Sequence, residues 1–147
     1  MKKILMAAGL STLLMGTTAM AEMQIGVSVA RFDDNGLTVM RNGMTAFDDA
    51  SDDVSLQMED ATDDVAKQLD QINNFIASGV DAIIVNAVDT NATEAMSNAA
   101  AAAGVPLVYV NRQPVNMATL PDGQAFVASN EIESGTLAAF QMCRQLR

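Results

Sequence analysis

The sequence VPLVYV at residues 105–110 is an unbroken apolar run that stops abruptly at Asn111, Arg112 and Gln113. A short continuous apolar run is typical of a strand buried on both faces, as in a parallel sheet covered by helices. Ligands of open parallel sheets bind just beyond the carboxyl ends of the strands. An amide and a guanidinium at that edge can bind hydroxyl groups, so the pattern favours a receptor for a small polar ligand such as a sugar or polyol.

The rest of the chain alternates strand patterns with helix patterns. Gly79 and Gly104 end two of the predicted helices, and Asp60 is predicted to cap the helix that carries Val65 and Ile72. Strands separated by helices imply right-handed crossovers, and therefore an α/β fold with a doubly wound parallel sheet. The predicted strands are residues 23–30, 54–59, 81–86, 105–110 and 124–128, and helices are predicted at 37–48, 65–78, 91–103 and 130–146.

The N-terminal segment has the pattern of an export signal. Lys2 and Lys3 precede an apolar stretch at residues 4–15, and small residues follow at 19–21. A charged start, a short apolar stretch and a small-residue cleavage site are typical of a secretory signal peptide. We therefore expect residues 1–21 to be removed and the protein to be periplasmic, with no stable membrane insertion after cleavage. An uncleaved membrane anchor is the alternative interpretation.

The charge of the chain excludes one class of partner. Removal of residues 1–21 would leave 6 basic against 18 acidic residues, a formal charge of −12. Binding to nucleic acid needs clustered cations, so we expect no nucleic acid partner.

The residue types present also argue against an enzyme. The sequence contains no histidine and one cysteine, so the Ser-His-Asp and Cys-His arrangements of nucleophilic catalysis are absent. One cysteine allows neither an internal disulfide nor a cysteine-based metal cluster. We expect no metal, no cofactor and no catalytic residue. A small exported enzyme with a flavodoxin-like fold remains an alternative that the fold alone does not exclude.

Three segments together carry a resemblance to a known family. They are IGVSVARFDDNGLTVMRNGM, DVAKQLDQINNFIASGVDAIIVNAVDT and AAAAGVPLVYVNRQP, in this order and spacing. The chain resembles the periplasmic sugar-binding proteins of ABC transporters, of the ribose-, galactose- and inositol-binding type within the periplasmic binding protein-like I family. That resemblance implies two α/β lobes joined by a hinge, with the solute held between them.

The resemblance also implies how this chain is divided. Residues 22–128 would form the N-terminal ligand-binding lobe, incomplete here, and residues 129–147 the hinge and the first helix of the second lobe. The helix from Glu131 runs to Arg147 without a C-terminal cap, and no return strand follows it. We therefore expect an N-terminal fragment of a longer protein, and a complete small domain is the alternative.

Site residues follow from the same resemblance. Asp34 aligns with the family's sugar-binding Asp after the first strand, although the sequence DDNG alone also favours a plain turn. Gly36 stands where the family has a stacking Phe, a place that Phe32 would partly fill. Asn111 and Arg112 align with the family's polar pair after the fourth strand, and a capped strand end is the alternative there. Asp89, after the third strand, completes the predicted ligand-binding set, although Asp is also an ordinary helix cap.

The function implied is capture of a monosaccharide or inositol-like polyol for import by an ABC transporter permease. The alternative within the same binding chemistry is a ligand-sensing module for a chemoreceptor or a sensor kinase.

Overall fold

The computed structural model describes residues 22–146, which form a five-stranded parallel sheet with helices on both faces. The strand order is β2-β1-β3-β4-β5, so the chain reverses its direction of progress across the sheet between β1 and β3. The predicted α/β fold class is confirmed. The strands are β1 Met23–Val29, β2 Val54–Asp60, β3 Ala82–Asn86, β4 Leu107–Val110 and β5 Gln124–Val127.

Four α-helices connect or follow these strands. They are α1 Asn35–Asp49, α2 Val65–Ser78, α3 Thr93–Ala103 and α4 Glu131–Gln145, with short 3-10 turns at Thr90–Ala92 and Met117–Thr119. Gly79 and Gly104 end α2 and α3 in the left-handed conformation, with φ of 78° and 70°. Glycine adopts that conformation at little cost, which is why both positions were recognisable in the sequence.

The helices cover the two faces of the sheet unequally. Leu37 of α1 packs with Val27 and Val29 on one face, and α2 and α3 pack on the other. On the second face, the core includes Phe75 of α2 and Tyr109 of β4. Alternate residues of a strand point to opposite faces, so the central strand β3 contributes Ile83 and Val85 to one core and Ile84 to the other.

The strand β4 only partly matches its predicted burial. Leu107 and Tyr109 are fully buried beneath α3, whereas Val108 and Val110 on the other face are half buried. Within residues 22–146, α1 covers the sheet near β1 and β3 but does not extend over β4. The strand is therefore buried on one face and half buried on the other.

The prediction that Asp60 caps α2 is wrong. Asp60 is the last residue of β2, paired with Val29, and its carboxylate accepts a hydrogen bond from the backbone of Thr62. The N-cap is Asp64, whose Oδ1 accepts from the backbone nitrogens of Ala66 and Lys67 at 2.8 and 3.0 Å. Residues 61–63 form a turn between the end of β2 and the cap, so the cap lies four residues after Asp60.

The last helix stands apart from both cores. Asn130 caps α4 by accepting from the backbone nitrogen of Glu133 at 3.1 Å. Every residue of α4 and its C-terminal cap Leu146 is exposed. The large apolar side chains among them are 56–83% accessible: Ile132, Leu137, Phe140, Met142 and Leu146.

Candidate ligand-binding site

Three of the predicted site residues line one cavity at the carboxyl edge of the sheet. The cavity has a volume of about 330 Å³ and is lined by Asp34, Gly36, Leu37, Met40, Asn111 and Arg112. Asp34 follows β1, and Asn111 and Arg112 follow β4. Parallel strands bring their carboxyl ends to the same edge, which explains why residues 77 positions apart in the sequence meet here.

Asp34 caps α1 and keeps acceptor capacity. Its Oδ1 accepts from the backbone nitrogen of Leu37 at 2.8 Å, and within the described part of the chain Oδ2 takes no hydrogen bond. An ionised carboxylate has about four lone-pair sites, so capping leaves room for hydroxyl donors of a solute. Gly36 keeps this carboxylate uncrowded, because a Cβ at position 36 would lie 3.3 Å from Oδ1.

Asn111 turns the chain sharply at the end of β4. Its φ is 67°, a left-handed conformation that Asn tolerates better than most residues. Its backbone nitrogen donates to the carbonyl of Val127 at 3.0 Å, which extends the pairing of β4 with β5. Its side-chain Oδ1 accepts from Nδ2 of Asn86 at 3.2 Å. The residue is therefore both a turn residue and a polar group on the cavity wall.

Arg112 joins the ends of β3 and β4. Its Nη1 donates to the carbonyls of Ala87 and Val88 at 2.8 and 2.9 Å. Among residues 22–146 the guanidinium forms no ion pair, and its other nitrogens donate to no protein atom. The remaining N–H groups of this half-buried side chain are available to acceptor atoms in the cavity.

Phe32 and Asp89 lie outside this cavity. The guanidinium carbon of Arg41 lies 3.9 Å from the centroid of the Phe32 ring, and Arg41 Nη2 donates to the Phe32 carbonyl at 2.8 Å. Asp89 caps the 3-10 turn, where its Oδ1 accepts from the backbone and side-chain nitrogens of Asn91 at 2.9 Å each. One ring face of Phe32 is thus engaged, and neither residue lines the cavity that Asp34 shares with Asn111 and Arg112.

The sequence did not reveal the buried polar residues beneath the rim. Asn86 at the end of β3 contacts Asn111, and Gln68 of α2 binds the carbonyl of Asn86 and the backbone nitrogen of Val88. The sequence contained only a weak signal. Asn86 follows the apolar residues 82–85, and Gln68 and Gln71 lie four and one positions before the core residue Ile72. Polar residues within apolar patterns were the clue to this network.

A second cavity of about 420 Å³ lies where β5 meets α4. Asn111 lines both cavities, and Gln113, Phe126 and Asn130 are among the other lining residues. Ser129 donates to the carboxylate of Glu131 at 2.8 Å. The polar edge of the sheet therefore continues from the first cavity to the segment predicted as the hinge.

An ion-pair cluster flanks the first cavity on the side of β2. Arg31 lies 2.7 Å from Asp33 and 2.9 Å from Asp63. The hydrogen bond from Arg31, and then its charge, hold the pKa of Asp33 below its usual value. These pairs are exposed, so their contribution to stability is small.

Neither metal-ligand clusters nor membrane spans occur in residues 22–146. No group of three or more metal-ligating side chains lies close enough there to hold an ion. Nor does any helix in this range combine the length and hydropathy needed to cross a bilayer.

Comparison with known proteins shows a consistent set of relatives. A Rhizobium meliloti protein that carries the name rhizopine-binding protein is 56% identical over 146 residues, which is 99% of this chain and 47% of that protein. A Bacillus halodurans ABC transporter solute-binding protein, solved with bound myo-inositol, has a TM-score of 0.70 and 35% identity over 79% of this chain and 39% of that one.

A third relative was solved with a pentose bound. The binding protein of an arabinose ABC transporter from Shewanella, solved with arabinofuranose, has a TM-score of 0.73 and 25% identity over 84% of this chain and 41% of that one. This chain thus spans about half the length of the curated relative and about two fifths of the solved structures. The periplasmic binding protein domain matches residues 25–147, and the resemblance found in the sequence is confirmed: the chain belongs to the periplasmic binding protein domain family.

Proposed function

We propose that this chain forms the first lobe of a two-lobe solute-binding protein that captures a sugar or an inositol-like polyol for import by an ABC transporter. The observation that carries this proposal is the single cavity shared by Asp34, Asn111 and Arg112. Residues 22–128 would form the lobe, and residues 129–147 the hinge and the start of the second lobe. Relatives that bind myo-inositol and arabinofuranose support this class of ligand.

The chemistry of the cavity matches a polyhydroxylated solute. A hydroxyl group both donates and accepts hydrogen bonds. Asp34 offers a carboxylate acceptor, and Asn111 and Arg112 offer amide and guanidinium groups within one cavity of about 330 Å³. Neighbouring hydroxyls of a sugar or cyclitol can therefore donate to the first residue and accept from the others.

The same cavity offers little for catalysis. Its lining residues include one carboxylate, but no serine, cysteine, lysine or tyrosine that could serve as a nucleophile. The proposed protein acts by closing two lobes over its solute, a hinge motion that a permease can distinguish from the open form. We also propose that residues 1–21, which lie outside the described residues, direct the protein to the periplasm.

A hybrid receptor tests the proposal. Residues 23–147 of this chain would be joined to the second half of the Rhizobium meliloti relative, and calorimetry would measure binding of myo-inositol, arabinose, ribose and galactose. We expect at least one of them to bind. A folded hybrid that gives no heat with any sugar or polyol would contradict the proposed function.

Two neighbouring aspartates give a matched pair of variants in this hybrid. Asp34→Asn keeps a side-chain oxygen for the helix cap but loses the charge that strengthens hydrogen bonds from a solute. We expect its dissociation constant to rise at least tenfold, about 1.4 kcal/mol. Asp33→Asn, whose carboxylate faces Arg31 outside the cavity, should leave binding unchanged. Equal effects of the two substitutions would argue against a direct contact by Asp34.

A further inference from the structure

Asn86 lies directly behind the polar edge of the first cavity. It is the last residue of β3, at the point where the strand order reverses, and its exposed fraction is 0%. A buried primary amide has two donors and an acceptor to satisfy, so its partners determine its orientation.

Backbone groups fix which end of the Asn86 amide faces the cavity. Oδ1 accepts from the backbone nitrogen of Ala30 at 3.3 Å, and Nδ2 donates to the carbonyl of Val110 at 3.3 Å. A backbone N–H can only donate and a carbonyl can only accept. Rotating the amide by 180° would therefore place its NH2 group against the Ala30 N–H and its oxygen against the Val110 carbonyl. The NH2 group of Asn86 therefore faces the end of β4.

The backbone of Asn86 is held as firmly as its side chain. Gln68, itself fully buried, donates from Nε2 to the Asn86 carbonyl at 3.0 Å and accepts at Oε1 from the Val88 nitrogen at 2.8 Å. Gln68 also donates to Ser28 at 3.0 Å, and Ser28 donates to Gln71 at 2.7 Å. The network spans β1, β3 and α2, and each of its amides has one permitted orientation.

This arrangement determines what Asn111 can present to a solute. Because the NH2 group of Asn86 donates to Asn111 Oδ1 at 3.2 Å, the oxygen of Asn111 is turned inward and its own NH2 group is left for the cavity. We propose that Asn86 is the positioning residue that fixes the Asn111 side chain as a hydrogen-bond donor at the rim. This inference rests on the proposed function, and it means that the solute presents an acceptor oxygen at Asn111 and a hydroxyl donor at Asp34.

NMR on the full chain tests the positioning without any solute. In 15N-labelled protein, the side-chain NH2 of Asn111 should have an order parameter above about 0.6. The amides of Asn73 and Asn74, exposed on α2 and without hydrogen-bond partners among the described residues, are the internal references for free rotation. An Asn111 amide as mobile as these references would overturn the proposal.

Two variants separate positioning from general loss of structure. Asn86→Ala should lower the Asn111 order parameter to that of Asn73. Ser28→Ala breaks the network at its other end and should leave Asn111 ordered, because Ala30 and Val110 still hold Asn86. An ordered Asn111 in a folded Asn86→Ala protein would overturn the proposal. Should Asn86→Ala fail to fold, the measurement on the unaltered chain still decides.

A titration of the 15N-labelled hybrid receptor with myo-inositol addresses the donor role. We expect the Asn111 NH2 signals to shift while those of Asn86 stay in place. Shifts at Asp34 and Arg112 without one at Asn111 NH2 would overturn the assignment of the donor. If none of these signals moves, the proposed function fails for this polyol, whereas the order parameters still judge the role of Asn86.

Discussion

Substitution of Asn111 by glycine and by alanine separates its part in the turn from its proposed contact with a solute. Both substitutions remove the amide and its 3.2 Å hydrogen bond with Asn86. They differ in the backbone, because φ at this position is 67° and a Cβ in that region costs about 1 kcal/mol relative to glycine. Stability should therefore distinguish the two variants, whereas binding should not.

The structure gives the expected magnitudes. A hydrogen bond of this kind contributes about 1 kcal/mol net, and Asn86 keeps its bond to Val110 in both variants. We expect unfolding free energies about 1 kcal/mol below wild type for Asn111→Gly and about 2 kcal/mol below for Asn111→Ala. With a urea m-value of about 1 kcal/mol per molar, the two unfolding midpoints of the full chain should differ by about 1 M.

Calorimetry on the hybrid receptor then decides the role of the side chain. Both variants should raise the dissociation constant more than tenfold, about 1.4 kcal/mol, because both lack the amide. If Asn111→Gly binds as tightly as wild type while Asn111→Ala binds weakly, the loss follows backbone strain. Asn111 would then be a turn residue and not a ligand contact.

Two further predictions concern the core. Gly26→Ala would place a Cβ against Cγ of Phe75 and 2.6 and 2.8 Å from its Cδ atoms, so we expect a loss of about 1–3 kcal/mol in urea unfolding; an unaffected variant would refute the close contact. Burial raises the pKa of Tyr109, so its neutral form is favoured in the folded state and stability should fall as the pH rises above about 10. As the single tyrosine in a chain without tryptophan, Tyr109 can be titrated by its absorbance, and Tyr109→Phe should remove its share of the alkaline loss.

The fold was predictable because local and global signals agree in this sequence. Apolar runs give the strands, apolar spacing gives the helices, and Gly79 and Gly104 mark helix ends by their positive φ. The joint position of Asp34 and Asn111 was also predictable, since it requires only that β1 and β4 be parallel. That conclusion concerns placement at one edge of the sheet; contact with a solute stays a prediction.

Side-chain pairing was not predictable, because it depends on how elements cross in space. The stacking of Arg41 on Phe32 joins residues nine positions apart across a loop and a helix. The bonds of Gln68 to Asn86 depend on the exact angle of α2 over β3. A hydrophobicity pattern assigns such polar residues to the surface, whereas here they are buried with their partners.

The buried network also shows why the rim offers donors and acceptors in a fixed order. An apolar side chain in place of Asn86 would leave the nitrogen of Ala30 unpaired, which is costly in a buried place, and the carbonyl of Val110 would keep only its bond from the Arg112 nitrogen. The backbone at the reversal of strand order thus favours a side chain that accepts from Ala30 and donates to Val110, as an amide does. That amide in turn imposes one orientation on Asn111, so the hydrogen-bonding character of the rim follows from the topology of the sheet beneath it.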